Sequence, residues 1–121
     1  MESILIVDDD LKLCKALKEE LTEVGYDAES VNNGLAALRF VQNKPVDLIL
    51  LDLKMPGMDG FDVLNELNSR KIKSKVIVLT AYADVKSAID SAKLGASDFI
   101  SKPYDLDELL ITIRKVLQKD V

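Results

Sequence analysis

Two rhythms of hydrophobic and polar residues take turns along this chain. Ile4-Leu5-Ile6-Val7, Leu48-Ile49-Leu50-Leu51 and Val76-Ile77-Val78-Leu79 are short, unbroken apolar runs, as expected of strands buried on both faces of a sheet. Between them apolar residues recur every three or four positions, the spacing of one helix face. Cys14, Leu17, Leu21 and Val24 make the first stripe, which Gly25 stops. Leu35, Leu38 and Val41 make the second, with Asn32-Asn33 offering the N-cap and Pro45 ending it. After a turn at Pro56-Gly57, Asp59 caps a third helix through Val63, Leu64 and Leu67. Asp84 opens a fourth, bearing Val85, Ala88, Ile89 and Ala92, which Gly95 closes. Asp105 and Glu108 stand at capping-box spacing before Leu106, Leu109, Leu110, Ile113 and Leu117. Two more strands are expected. Asp27 to Val31 is polar enough for a sheet edge, and a short one lies around Asp98 to Ser101.

This β-α alternation predicts one α/β domain over residues 1–121, a doubly wound parallel sheet with helices on both faces. Ligands of such sheets bind beyond the C-terminal ends of the strands, where the topology switches direction. Polar residues stand at those ends. The first run enters Asp8-Asp9-Asp10, the next ends at Asp52 and the next at Thr80, while Phe99-Ile100 leads through Ser101 to Lys102-Pro103.

Asp8, Asp9 and Asp52 brought together would repel one another and raise one another's pKa. A divalent cation removes that cost, and Mg²⁺ takes a few carboxylate oxygens while keeping positions for water and a phosphate oxygen. Acids opening a helix favour its dipole, which accounts for one or two of Asp8 to Asp10 but not for Asp52. Taken singly, Thr80 fits an ordinary strand residue and Lys102 a side chain reaching solvent. Taken with the acids, each has a use. An ammonium and a hydroxyl can hold phosphoryl oxygens, the metal can neutralise another, and one carboxylate is free as nucleophile.

Composition narrows the setting. The chain has 121 residues, 48% of them hydrophobic and 31% charged, with a net charge of −5. That acidity argues against direct nucleic-acid binding or an anionic membrane surface. The basic cluster Arg70-Lys71-Ile72-Lys73-Ser74-Lys75 precedes a strand, so it belongs at the far end of the sheet as a solvated loop. Cys14 is the single cysteine and falls on a helix stripe, which predicts buried packing and excludes an intrachain disulfide. No apolar run reaches membrane-spanning length and the start has no signal-peptide pattern, so a cytoplasmic location is the expectation.

Four motifs carry a family resemblance. They are Asp8-Asp9, the run from Leu51 to Gly60 (Leu-Asp-Leu-Lys-Met-Pro-Gly-Met-Asp-Gly), Leu79-Thr80-Ala81, and Lys102-Pro103. In this order and at these separations the chain resembles, over essentially its whole length, the receiver domain of two-component response regulators. The resemblance implies a flavodoxin-like five-stranded sheet of order 2-1-3-4-5. It implies that Asp52 accepts a phosphoryl group from a histidine kinase or histidine phosphotransfer protein, without the chain being a turnover enzyme. Mg²⁺ would be bound by Asp9 and Asp52, by Asp8 directly or through water, and by the backbone carbonyl of Lys54. Thr80 and Lys102 would grip the acyl phosphate, and Phe99 would change rotamer as Thr80 moves. The Lys102-Pro103 bond matches one that is usually cis. Lys54 with Thr80-Ala81-Tyr82 is similar to the stand-alone regulator of the sporulation phosphorelay, and the tyrosine-containing run also to nitrogen-regulatory receivers. Lys54 and Tyr82 fall at positions that tune dephosphorylation.

The resemblance also places the output, an effector domain or protein, on the face of the fourth helix, fifth strand and fifth helix, roughly Asp84 through Leu117. It admits a phosphorylation-dependent dimer. Tyr104 lies on that edge and reads equally as a contact or as packing. Leu13 and Ala16 read equally as an entry point for a phosphohistidine-bearing bundle or as ordinary surface. Rival functions fit less well. Asp8-Asp9-Asp10 would repel a flavin phosphate, and an aspartate-nucleophile phosphatase needs a second aspartate where Lys54 stands. An unphosphorylated interaction module would lack part of the acidic set, which is complete here.

Overall fold

The computed structural model describes residues 1–119. Five strands alternate with five helices. β1 (Ser3–Val7), β2 (Asp27–Val31), β3 (Leu48–Leu51), β4 (Lys75–Thr80) and β5 (Asp98–Ser101) are each followed by a helix, namely α1 (Leu11–Glu23), α2 (Gly34–Asn43), α3 (Gly60–Ser69), α4 (Val85–Lys93) and α5 (Leu106–Gln118). Every strand pairing is parallel. The order is β2-β1-β3-β4-β5, so the fold is the flavodoxin-like doubly wound sheet that the sequence implied. The polar strand β2 lies at one edge, as its composition suggested.

The unbroken apolar runs are buried on both sides. Ile4, Ile6, Leu48, Leu50, Ile77 and Leu79 face one core, shared with Cys14, Leu17 and Leu21 of α1 and Leu109, Ile113 and Val116 of α5. Leu5, Val7, Ile49, Leu51 and Val76 face the other, shared with Leu38 and Val41 of α2 and Val63, Leu64 and Leu67 of α3. Alternate residues of one strand thus feed opposite layers, which is the period of a pleated sheet.

Most of the helix signals hold, and four details differ. Val24 is the C-cap of α1 and is 52% exposed, because the helix ends before the stripe does. Leu35 faces solvent, and Gly34, Ala37, Leu38 and Val41 form the buried face of α2. Asp105 accepts from the Glu108 N–H at 3.1 Å, but the reciprocal capping box forms at α3, between Asp59 and Asp62. The largest difference is in α4. Its only fully buried residue is Ser91, while Val85 is 76% and Ile89 50% exposed. Small Ala88 and Ser91 face inward, and the bulkier apolar residues look out. Periodicity finds a stripe on a helix but does not say which stripe meets the sheet.

Candidate functional site

The C-terminal ends of β1, β3, β4 and β5 converge on one edge. Ladder hydrogen bonds run one residue past the strands and fix the acids. The Asp8 N–H donates to Val31 O at 3.2 Å and the Asp52 N–H to Val7 O at 3.0 Å. Asp8 and Asp52 are therefore held on adjacent rigid strands and are buried, whereas Asp9 is exposed. One carboxylate oxygen from each of Asp8, Asp9 and Asp52 lies within 4.8 Å of the others. Three hard oxygen donors, one of them open to solvent, suit Mg²⁺ with several waters retained.

Lys102 enters from β5. Its Nζ donates to Asp8 Oδ2 at 2.6 Å and to Asp52 Oδ2 at 3.4 Å. Burial alone would lower the lysine pKa, but the hydrogen bond and charge of Asp8 and the charge of Asp52 outweigh it and hold the ammonium above its ordinary value. Burial raises the Asp8 carboxyl, against the pull of Lys102 and of the Asp10 N–H, which donates to Asp8 Oδ1 at 2.9 Å. One ammonium thus faces three carboxylates, and formal negative charge remains for a cation to balance. The Lys102-Pro103 bond is cis.

Thr80 is fully buried, and its hydroxyl accepts from the Tyr82 N–H at 3.1 Å. Among the described residues no hydrogen bond joins the Thr80 hydroxyl to Asp52 or Lys102, although the Lys102 N–H donates to the Thr80 backbone carbonyl at 2.9 Å. Phe99 is half-buried on β5, paired with Val78 while Thr80 pairs with Ser101. Lys54 follows Asp52 by two residues, and its N–H donates to Asp52 Oδ1 at 3.3 Å. Its Nζ stands 5.1 Å from the centroid of the Tyr82 ring, a cation–π contact across the mouth of the site.

A family profile described as the response regulator receiver domain matches residues 4–114. The chain belongs to that family. Regulatory protein AtoC of Escherichia coli K12 is 38% identical over 115 residues, covering 95% of this chain but 25% of that protein. This receiver chain therefore spans about a quarter of the length of such relatives. Sporulation initiation phosphotransferase F of Bacillus subtilis 168 is 39% identical over 116 residues, 96% of this chain and 94% of that protein. Both similarities read from Lys54 and Thr80-Ala81-Tyr82 are thus represented among its relatives. The response regulator TrrA of Thermotoga maritima, solved in complex with Mg(2+)-BeF, superposes with a TM-score of 0.86 at 37% identity, covering 96% of this chain and 99% of that one. A receiver domain implies a histidine kinase or phosphotransfer partner. Among the described residues no helix is long and apolar enough to cross a membrane.

Three residues around the site make contacts that no motif gives. Asn33, not Asn32, caps α2, which frees Asn32 to donate to Asp8 O at 3.1 Å and brace the acidic loop. Cys14 Sγ donates to the same carbonyl at 3.3 Å, and burial followed by the charges of Asp8 and Asp10 pushes its thiol up to about 11, so it stays neutral. Gly60 opens α3 against the backbone just beyond β3. A Cβ there would stand 2.5 Å from Asp52 O and 2.7 Å from Leu53 Cα. Its place directly after the Asp59 cap is visible in sequence, but the close approach is not.

Proposed function

We propose that Asp52 is the phosphoacceptor of a two-component system or phosphorelay, taking its phosphoryl group from a phosphohistidine. The supporting observation is the buried Asp52 carboxylate held beside both the Lys102 ammonium and the carboxylates of Asp8 and Asp9. A carboxylate oxygen of Asp52 attacks phosphorus in line with the bond to the imidazole nitrogen. That P–N bond breaks, and its electron pair stays on the imidazole. Lys102 is placed to exchange part of its contact with Asp8 and Asp52 for a phosphoryl oxygen. Thr80, once its hydroxyl leaves the Tyr82 N–H, donates to another. Asp9, Asp52 and the Lys54 carbonyl, with Asp8 directly or through water, would hold Mg²⁺, whose chemistry here is to neutralise phosphoryl oxygen charge.

The chain prepares its own phosphorylation and the later hydrolysis of the acyl phosphate but turns over no separate substrate. Withdrawal of Thr80 leaves space that Phe99 fills, and this carries the change to the face of α4, β5 and α5, where an effector or a second phosphorylated copy binds. We place this chemistry in the cytoplasm, facing a histidine kinase or phosphotransfer protein. Incubation with acetyl phosphate and Mg²⁺ should add one phosphoryl mass to the intact protein, and Asp52→Asn should take up none. An unlabelled wild-type protein that is folded and binds Mg²⁺ would refute the reading.

A further inference from the structure

We propose that Tyr104 is a positioning residue whose hydroxyl, bonded to Glu20 of α1, sets where Lys102 stands in the acidic site. The inference rests on the phosphoacceptor reading for its kinetic consequence and on geometry for the rest.

Lys102 carries a charge on a long, flexible stem, so its placement depends on how firmly the chain around it is held. On its N-terminal side the hold is the sheet, where the Lys102 N–H donates to Thr80 O at 2.9 Å. On its C-terminal side Pro103 has no N–H to offer, and regular structure resumes only where Asp105 caps α5. Tyr104 ties down the interval. Its ring packs half-buried on the α1–α5 core. Its hydroxyl donates to Glu20 Oε1 at 2.5 Å, across 84 residues of sequence.

Glu20 is well placed for this. Leu13, Leu17 and Glu20 follow one another at spacings of four and three, so they share a face of α1, and α1 begins immediately after the Asp8-Asp9-Asp10 loop. Leu13, Lys102, Pro103 and Tyr104 line one shallow cleft with Ala81. The β5–α5 connection is thus pinned to one helix stripe at two levels, by apolar contact near Leu13 and by the phenol two turns further on. The rigid ring of Pro103 couples the pinned residue to Lys102.

Packing does not account for the hydroxyl. A phenylalanine would fill the same space, and Glu20, half-buried on α1, keeps access to water without a partner. The phenol makes a charge-assisted bond, the stronger class of hydrogen bond. Burial, and then the Glu20 carboxylate, push the tyrosine pKa up, so it remains a donor throughout the neutral range.

The test compares Tyr104→Phe, Glu20→Ala, their double variant and Glu20→Gln. Phosphoryl uptake from acetyl phosphate at saturating Mg²⁺ is read by intact mass, and the ε-carbon resonance of Lys102 is read in ¹³C-lysine-labelled, unphosphorylated protein. Tyr104→Phe and Glu20→Ala should each slow uptake about tenfold and shift the Lys102 resonance. The double variant should be no slower than either single one. Glu20→Gln keeps an acceptor oxygen and should restore most of the rate. A folded Tyr104→Phe protein with the wild-type rate would overturn the proposal, as would slower uptake with an unmoved Lys102 resonance. Failure of the wild type to be labelled would instead overturn the role of Asp52, and the Lys102 resonance alone would then decide the role of Tyr104.

Discussion

Helices α3 and α4 follow neighbouring strands, have nearly equal length, and each starts at an aspartate N-cap. They are nevertheless held quite differently. α3 buries Val63, Leu64 and Leu67, completes a capping box, and presses Gly60 onto the backbone of Asp52. α4 buries Ser91 alone and turns Val85 and Ile89 outward. One side of the site therefore stands on a well-packed layer, and the other leads into a helix with little apolar anchorage. Carboxylates that must converge to bind a cation need the first kind of support. On the proposed mechanism, a hydroxyl that changes partner and a face that reports the change need the second. Thr80 belongs to that second side, with its bond to Tyr82 lying just before α4.

Lys102→Ala has the largest expected effect. It removes the one ammonium paired with the acids among the described residues, so uptake from acetyl phosphate should fall by about 10²–10³. The metal-free protein should lose stability that Mg²⁺ restores, as read by urea unfolding with and without the ion. The packing contrast comes next. Leu64→Ala should cost about 2–5 kcal/mol, whereas Ile89→Gln on α4 should change stability by less than about 0.5 kcal/mol. Comparable losses at the two positions would erase the distinction.

Lys54 comes from the fixed side and Tyr82 from the responsive side, and their contact spans the site. The hypothesis is that these two bulky side chains hinder water on the in-line path. A Lys54→Ser, Tyr82→Ala double variant should then lose its phosphoryl group severalfold faster, in keeping with the modest strength of such contacts, about 0.5–1 kcal/mol. An unchanged half-life by timed intact mass would dismiss the hypothesis. The smallest effect concerns alkaline pH. Lys102 and Tyr104 both hold their protons more tightly when folded than their ordinary values of 10.5 and 10.0. Their contributions are fully present below those values and are lost as pH rises through the higher folded ones. Tyr104→Phe should flatten part of that decline in denaturation midpoints measured above pH 10.

The middle of the sheet was legible because β1, β3 and β4 are buried on both faces, which leaves continuous apolar runs, whereas β2 and β5 had to be read from the alternation around them. The acids and Thr80 were legible because they follow such runs, and Lys102 because it follows the short β5, and a parallel sheet gathers those ends. The facing of α4 was not, since Ala88 and Ser91 form an inward stripe that a search for large apolar residues passes over. The Tyr104–Glu20 bond was hidden by its sequence separation. Asn32 was hidden by its neighbour, because two adjacent asparagines offer the same capping chemistry and only the fold decides which one is released to brace Asp8.

Gly60 has a consequence for anyone redesigning this scaffold. Any side chain there would drive its first carbon into the carbonyl of Asp52, so Asp52 and this glycine eight positions downstream form one transplantable unit. Grafting the aspartate alone onto another α/β framework would leave the following helix standing off from the strand.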